Sequence, residues 1–116
     1  MQFLEAEGYK VKDVGAVESY DLDATRGDHH LYVEVKGTVS GGDKVILTRN
    51  EVALHRKHFP HNMLAIVSNI ELDRNGSMPV ATGGTLRVVS PWDIDESRLE
   101  PLSYDYKVPG EETKLR

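Results

Sequence analysis

The stretch Ser19–Gly37, SYDLDATRGDHHLYVEVKG, decides how this chain folds. In its first half Tyr20, Leu22 and Ala24 alternate with Ser19, Asp21 and Asp23. In its second half Leu31, Val33 and Val35 alternate with Tyr32, Glu34 and Lys36. Side chains on a strand switch face at every residue, so both halves read as strands with one apolar face and one acid-bearing face. Gly27-Asp28 suits a two-residue type II′ turn, which takes glycine first. That turn pairs Arg26 with His29, sets Asp21 opposite Glu34 and sets Ser19 opposite Lys36. A turn slid to Asp28-His29 would instead set Asp23 opposite Glu34. Like charges directly across a ladder, about 4.5–5.5 Å apart at Cβ, are destabilising. A divalent cation between them removes that objection, and Mg²⁺ is commonly held by one or two carboxylates with water.

Composition bounds the rest. The chain has 116 residues, enough for one domain with its own core. It has no apolar run of membrane length, and its first residues lack the basic start and apolar stretch of a signal peptide. Cysteine is absent, which excludes disulfides and thiolate metal sites and fits a cytoplasmic protein. A formal net charge of −5 argues against a broad nonspecific polyanion-binding surface, but not against a local basic groove.

Outward from the hairpin, Gln2–Glu7 reads as the last turns of a helix stopped by Gly8, and Tyr9–Val14 as a first strand. Thr38–Asp43 is a Gly/Ser loop. It approaches a P-loop in spacing, from Gly37 to Gly42, but has Asp43 where lysine belongs and no helix to follow, so nucleotide binding is rejected. Lys44–Leu47 reads as a short strand. Thr48-Arg49-Asn50-Glu51 is a capping box opening a helix that Pro60 stops near Phe59. Asn62–Ser68 is an apolar run expected to be a buried central strand. Glu71–Gly84, with Asn75-Gly76, Pro79 and Gly83-Gly84, reads as turns and loop. Thr85–Val89 reads as a strand, Trp92–Glu100 as loop with a helical turn, and Leu102–Val108 as an edge strand. The expected fold is α/β: a mixed sheet with the Thr48–Phe59 helix on one face and the Gln2–Glu7 helix beside it. The expected domain is 1–108, followed by a charged, mobile tail, 109–116.

The chemistry concentrates in Asp21-x12-Glu34-Val35-Lys36. Two carboxylates can hold a divalent ion, and a lysine on the same face can orient an attacking water and stabilise charge on a phosphate. The bland alternative is a solvated strand face with a Glu–Lys pair. Asp23 is either a further metal ligand or a solvated strand residue, the second being favoured. Thr48 and Asn50 stand at a helix start, where free N–H groups can receive a phosphate, or simply cap the helix. Arg49, Arg56 and Lys57 either track a nucleic-acid backbone or form an ordinary solvated face. His55, His58 and His61 are spaced by three, but His61 lies beyond Pro60, so convergence on zinc is not expected. His29 and His30 read as exposed turn residues.

These residues resemble a known family. The order helix, strand, hairpin with D…ExK is similar to the PD-(D/E)XK nuclease superfamily, with its restriction-endonuclease-like fold. Tyr20-Asp21-Leu22, Val33–Gly37 (VEVKG), Leu47–Glu51 (LTRNE) and Arg98–Tyr104 (RLEPLSY) more closely resemble the family named after the C-terminus of the plant protein NO VEIN. The similarity runs from about Gly8 to Val108. It implies catalytic residues at Asp21, Glu34 and Lys36 and metal ligands at Asp21, Glu34 and Val35. It also implies Mg²⁺ or Mn²⁺ as cofactor and DNA as partner, contacted through Thr48, Arg49, Asn50, Arg56 and Lys57. Members usually carry a longer first helix, sometimes with a further acid, for which only Glu5 or Glu7 could serve. They usually occur as one module among others. The expected function is thus a metal-dependent endonuclease, or the nuclease module of a restriction or repair protein. The alternatives are a catalytically silent module that binds nucleic acid or protein, and a homodimerisation module built on an exposed sheet edge.

Overall fold

A computed structural model describes residues 1–73, 76, 78 and 80–115. Helix α1 (Gln2–Ala6) leads into strand β1 (Lys10–Asp13), followed by the hairpin β2 (Leu22–Arg26) and β3 (His29–Gly37). Helix α2 (Arg49–His58) crosses over to β4 (Asn62–Ser68). A small hairpin, β5 (Glu71–Asp73) with β6 (Val80–Thr82), precedes β7 (Thr85–Val89) and a 3-10 turn at Glu96–Arg98. The main sheet has five strands in the order β1-β2-β3-β4-β7. It is mixed, because β3 and β4 run parallel through the α2 crossover while the other pairs are antiparallel. The architecture is therefore α/β.

The hairpin register is the one expected from Gly27-Asp28. Arg26 pairs with His29 and Leu22 with Val33, where the ladder ends; the expected pairing of Asp21 with Glu34 is not part of it. Gly27 carries φ 58°, while Asp28 is not among the positive-φ residues, as a type II′ turn requires. The alternative register is excluded, since Asp23 stands opposite Tyr32.

Strand alternation divides the core into two layers. Leu4 of α1 packs on Ala24, Val33, Met63 and Ala65, with Leu22, Leu31 and Val35 around them. On the other face Leu64, Ile66 and Trp92 pack with Val45, Leu47 and Ile94. Tyr32, Glu34 and Lys36 pair in register with Asn62, Leu64 and Ile66, so they share this second face, and α2 covers it. The two helices thus lie on opposite faces of the sheet, not side by side. A central strand that is apolar on both sides needs a cover on both sides.

Other expectations need correction. Lys44–Leu47 forms no strand; Val45 and Leu47 pack against Leu64, Ile66 and Trp92 without joining a ladder. Leu102–Val108 is not a strand either, and Leu102, Tyr104, Tyr106 and Val108 are exposed, so no sheet edge for dimerisation is built there. Glu71–Gly84 contains the β5–β6 hairpin rather than loop alone; Asn75 and Pro79 lie outside the described residues, as does Arg116 of the tail. Tyr20 sits not on the apolar face but against Tyr32, ring centroids 5.0 Å apart. His30 is not a free turn residue: it is half-buried on β3 and bonded to Asp23. The Gly/Ser loop serves packing. Gly42 (φ 76°) lies so close to Ser68 and Ile66 that a Cβ there would meet them at 3.0–3.1 Å, and Arg87 Nη2 donates to its carbonyl at 2.7 Å. Among the described residues no helix is long and apolar enough to cross a membrane.

The capping box at the start of α2 is complete. The Glu51 N–H donates to Thr48 Oγ1 at 3.1 Å, and Glu51 Oε1 accepts from the Thr48 N–H at 2.8 Å. Thr48→Ala should lower stability by about 1 kcal/mol. The expected readout is a lower urea midpoint at unchanged slope.

Candidate active site

Strand β3 and helix α2 meet residue by residue. The Tyr32 ring stacks on His58 with centroids 3.7 Å apart and planes 15° from parallel. Glu34 Oε1 lies 3.2 Å from His55 Nε2. Lys36 Nζ donates to both oxygens of Glu51, each at 3.2 Å. Alternate residues of a strand share a face, and residues three or four apart on a helix share a stripe. Tyr32, Glu34 and Lys36 therefore meet His58, His55 and Glu51 in turn along one antiparallel seam.

Asp21 joins the seam from the strand approach. Its Oδ2 accepts from the Val35 N–H at 2.8 Å, which anchors the carboxylate over the middle of β3. The Asp21 N–H donates to the Val33 carbonyl at 3.0 Å, so Asp21 and Leu22 both stand against Val33. The Asp21 and Glu51 carboxylates lie close enough to Glu34 to oppose its ionisation. Its carboxyl is fully buried, and Oε2 has no hydrogen-bond partner. The nearest cation is Lys36 Nζ, 3.7 Å from that oxygen. Asp21, Glu34 and Lys36 are thus brought together as the alternation implied.

Electrostatics follow from burial. Loss of water and then the neighbouring Asp21 and Glu51 carboxylates push the Glu34 carboxyl up to about 9. At neutral pH it holds a proton. Burial also lowers His55 to about 4, so its imidazole is neutral. Burial alone would raise Glu51, but the Thr48 amide, Glu34 and Lys36 outweigh it and hold it below the usual range.

The remaining expected residues divide. Asp23 does not reach this seam. Its carboxylate accepts from the Tyr20 hydroxyl at 2.8 Å and contacts His30. Burial opposes its ionisation, and His30 and Tyr20 overcome that, leaving it lowered. Thr48, Arg49 and Asn50 are exposed at the start of α2, and Lys57 is exposed near its end. Arg56 is exposed too, but its guanidinium is paired with Glu96. Val35 offers only its main chain to a ligand. His55, His58 and His61 do not converge: the first faces Glu34, the second Tyr32, and the third is exposed.

Sequence reasoning missed three residues. Glu51 was read only as a cap, yet the same carboxylate also grips Lys36. His55 was weighed only for zinc. Asn62 was read only as a strand start, yet its side chain is buried against His55 and Trp92. One signal was available: Glu51 and His55 are four apart and so share the stripe that faces β3.

Whether these groups suit a divalent cation is a question of donor chemistry. Among the described residues no three His, Asp or Glu side chains form a set that could hold a metal ion by themselves. Two carboxylates with a main-chain carbonyl and water suit a hard cation such as Mg²⁺, which rarely takes an all-protein cage. The unpartnered Glu34 Oε2 supplies a buried hard oxygen without a ligand. The residues present fit such an ion.

The family model described as Protein NO VEIN, C-terminal matches residues 1–80. The chain belongs to that family. No curated protein and no solved structure matches it. The NO VEIN C-terminal match spans α1, the hairpin, α2 and β4, and so contains Asp21, Glu34, Lys36, Glu51, His55 and Asn62. It ends before Arg98–Tyr104. Trp92, which packs on His55 with ring centroids 4.7 Å apart, likewise lies beyond the matched span of the NO VEIN C-terminal family.

Glu34 and His55, buried side by side, set the pH profile of the seam near neutrality. Glu34 is raised from 4.5 to about 9, so the native state holds an extra proton between those values, and this contribution to stability is lost as pH rises through that window. His55 is lowered from 6.5 to about 4, so its contribution is lost as pH falls through that window. Between about 4.5 and 6.5 the two slopes oppose each other. Above 6.5 only the Glu34 slope remains. Thermal melting without added cation should show stability falling from pH 6.5 to 9. Glu34→Gln, which cannot ionise, should flatten that fall and melt several degrees above the native protein at pH 8.5. A native profile flat from pH 6.5 to 9 would contradict the assignment.

Proposed function

We propose that this chain is a metal-dependent phosphodiesterase acting on DNA, with the restriction-endonuclease-like arrangement of its sheet and α2. The observation that carries the reading is the convergence of Asp21, Glu34 and Lys36 in one seam, with a buried Glu34 oxygen left unpartnered. Membership of the NO VEIN C-terminal family and the order hairpin, D…ExK strand, helix support it.

In this reading Asp21, Glu34 and the Val35 carbonyl hold Mg²⁺ or Mn²⁺. When bound, the ion supplies Lewis acidity toward a phosphoryl oxygen and lowers the pKa of a bound water. The residues of the chain do the rest. Asp21 is held by the Val35 N–H, so its carboxylate does not have to be ordered when substrate arrives. Lys36 is oriented by Glu51 and points along the seam, where its charge can stabilise the anionic transition state of phosphoryl transfer. Glu34 must give up its proton before it can act as a ligand, because metal binding requires the deprotonated form. Thr48, Arg49, Asn50 and Lys57 lie exposed along α2, where they can contact the phosphate backbone.

One observation favours a second reading, a catalytically silent nucleic-acid- or protein-binding module. Lys36 is fully engaged with Glu51 and stands 3.7 Å from Glu34, so it already neutralises part of the pocket without any cation. In that arrangement the seam is a self-contained ion network.

Calorimetric titration separates the two. The native protein should bind Mn²⁺, and Asp21→Asn should bind it at least tenfold more weakly. With plasmid and single-stranded DNA and Mn²⁺ or Mg²⁺, Lys36→Ala should cut the cleavage rate by roughly 10²–10³. It should leave Mn²⁺ affinity largely in place, since lysine is not a ligand. Native protein that neither binds the cation nor cleaves DNA puts the silent module ahead.

A further inference from the structure

Glu34 is held from behind by a hydrogen-bonded chain that the nuclease reading does not use. The Trp92 N–H donates to Asn62 Oδ1 at 3.1 Å, which fixes the amide so that Asn62 Nδ2 is the end presented to His55. Nδ2 lies 2.9 Å from the Trp92 carbonyl and 3.3 Å from both the His55 carbonyl and His55 Nδ1. The Asn62 backbone is also tied, because Ser90 Oγ donates to its carbonyl at 3.0 Å. An amide NH₂ can only donate. An Nδ1–H there would set two donors against each other, so the arrangement favours a lone pair on Nδ1 and the ring proton on Nε2. That N–H faces Glu34 Oε1 at 3.2 Å. Asn62, His55 and Glu34 are all fully buried, so no water can substitute for a link.

We propose that His55 is a positioning residue for Glu34: locked in its Nε2–H form by Asn62, it holds Oε1 so that Oε2 is presented to a divalent cation. The inference rests on the cation reading of the Asp21–Glu34 pair. The chemistry favours a neutral donor at this place. A lysine or arginine would neutralise the carboxylate and weaken its hold on a cation. An apolar residue would leave Oε1 buried without a partner and the carboxyl free to turn. Partners that orient a ligating group from behind typically contribute 10–100-fold to metal affinity.

Two measurements on the 116-residue chain test this. In metal-free protein at pH 7.5, long-range ¹H–¹⁵N spectra should show His55 protonated at Nε2 and bare at Nδ1. The opposite tautomer overturns the proposal whatever the metal does. Calorimetric titration with Mn²⁺ should then show His55→Leu binding about 10–100-fold more weakly than native protein. His55→Gln, whose amide can donate to the same oxygen, should recover most of that loss. Circular dichroism and melting establish that each variant is folded. If His55→Leu does not fold, His55→Asn takes its place, being polar but too short to reach; equal affinity in His55→Asn and His55→Gln overturns the proposal. A folded His55→Leu with native affinity, where Asp21→Asn has lost binding, overturns this inference alone. Native protein that binds no Mn²⁺ overturns the cation reading and this inference with it.

Discussion

A carboxyl group with no access to water, Glu34, is the constraint the rest of the structure is arranged around. An isolated carboxylate in that position would be prohibitively unfavourable, so it must be protonated, paired or given to a cation. Each neighbouring element supplies part of the answer. Helix α2 brings His55 to one oxygen and sets Glu51 beside Lys36. The hairpin brings Asp21 within reach. The loop after β7 brings Trp92, which orders Asn62 and through it His55. The phase of α2 is critical here. Starting the helix one residue later would rotate His55 about 100° away from Glu34 and Glu51 away from Lys36. Thr48 therefore fixes more than a helix end. By bonding the Glu51 amide and receiving its carboxylate, it sets the rotation at which the stripe meets β3.

This explains which parts were legible in the sequence. The hairpin was, because Gly27-Asp28 sets the register locally and alternation then fixes which side chains share a face. The capping box was legible for the same reason, since its partners are three residues apart. The placement of α1 was not. A five-residue helix with Leu4 as its one buried contact has no pattern that distinguishes one sheet face from the other. That choice depends on Ala24, Val33, Met63 and Ala65 leaving a gap of the right size. Val45 and Leu47 have the alternation of a strand, but alternation records only that two side chains are buried. They pack on Leu64, Ile66 and Trp92 from a segment without ladder bonds. Leu102–Val108 shows the converse: alternation with nothing to bury against among the described residues.

The candidate site was half legible in the same sense. Glu34 and Lys36 share a face by strand parity, and Asp21, just ahead of β2, is brought to them by the Val35 N–H. Glu51, His55 and Asn62 come to them from separate elements, and no local spacing states which strand a helix stripe will face. His55 was the more easily misread because two other histidines follow at spacing three. Zinc chemistry is the natural thought for such a run, and the fold separates them: one goes to Glu34, one to Tyr32, one to solvent.

The proton on Glu34 bears on how such a seam could work. Asp21, Glu34 and Glu51 place three acidic side chains together in a chain whose net charge is already −5. A phosphate approaching all three ionised would be repelled. With Glu34 protonated and Lys36 against Glu51, the seam carries less negative charge than its composition suggests. On the nuclease reading a divalent cation and the Glu34 proton are alternatives for the same buried carboxyl. On the nuclease reading, cation uptake releases that proton, so affinity rises with pH up to about 9. On the silent-module reading no such exchange exists, and the proton simply stabilises the buried carboxyl. The two readings thus assign opposite meanings to one proton, which makes its release on adding a divalent cation the most direct physical difference between them.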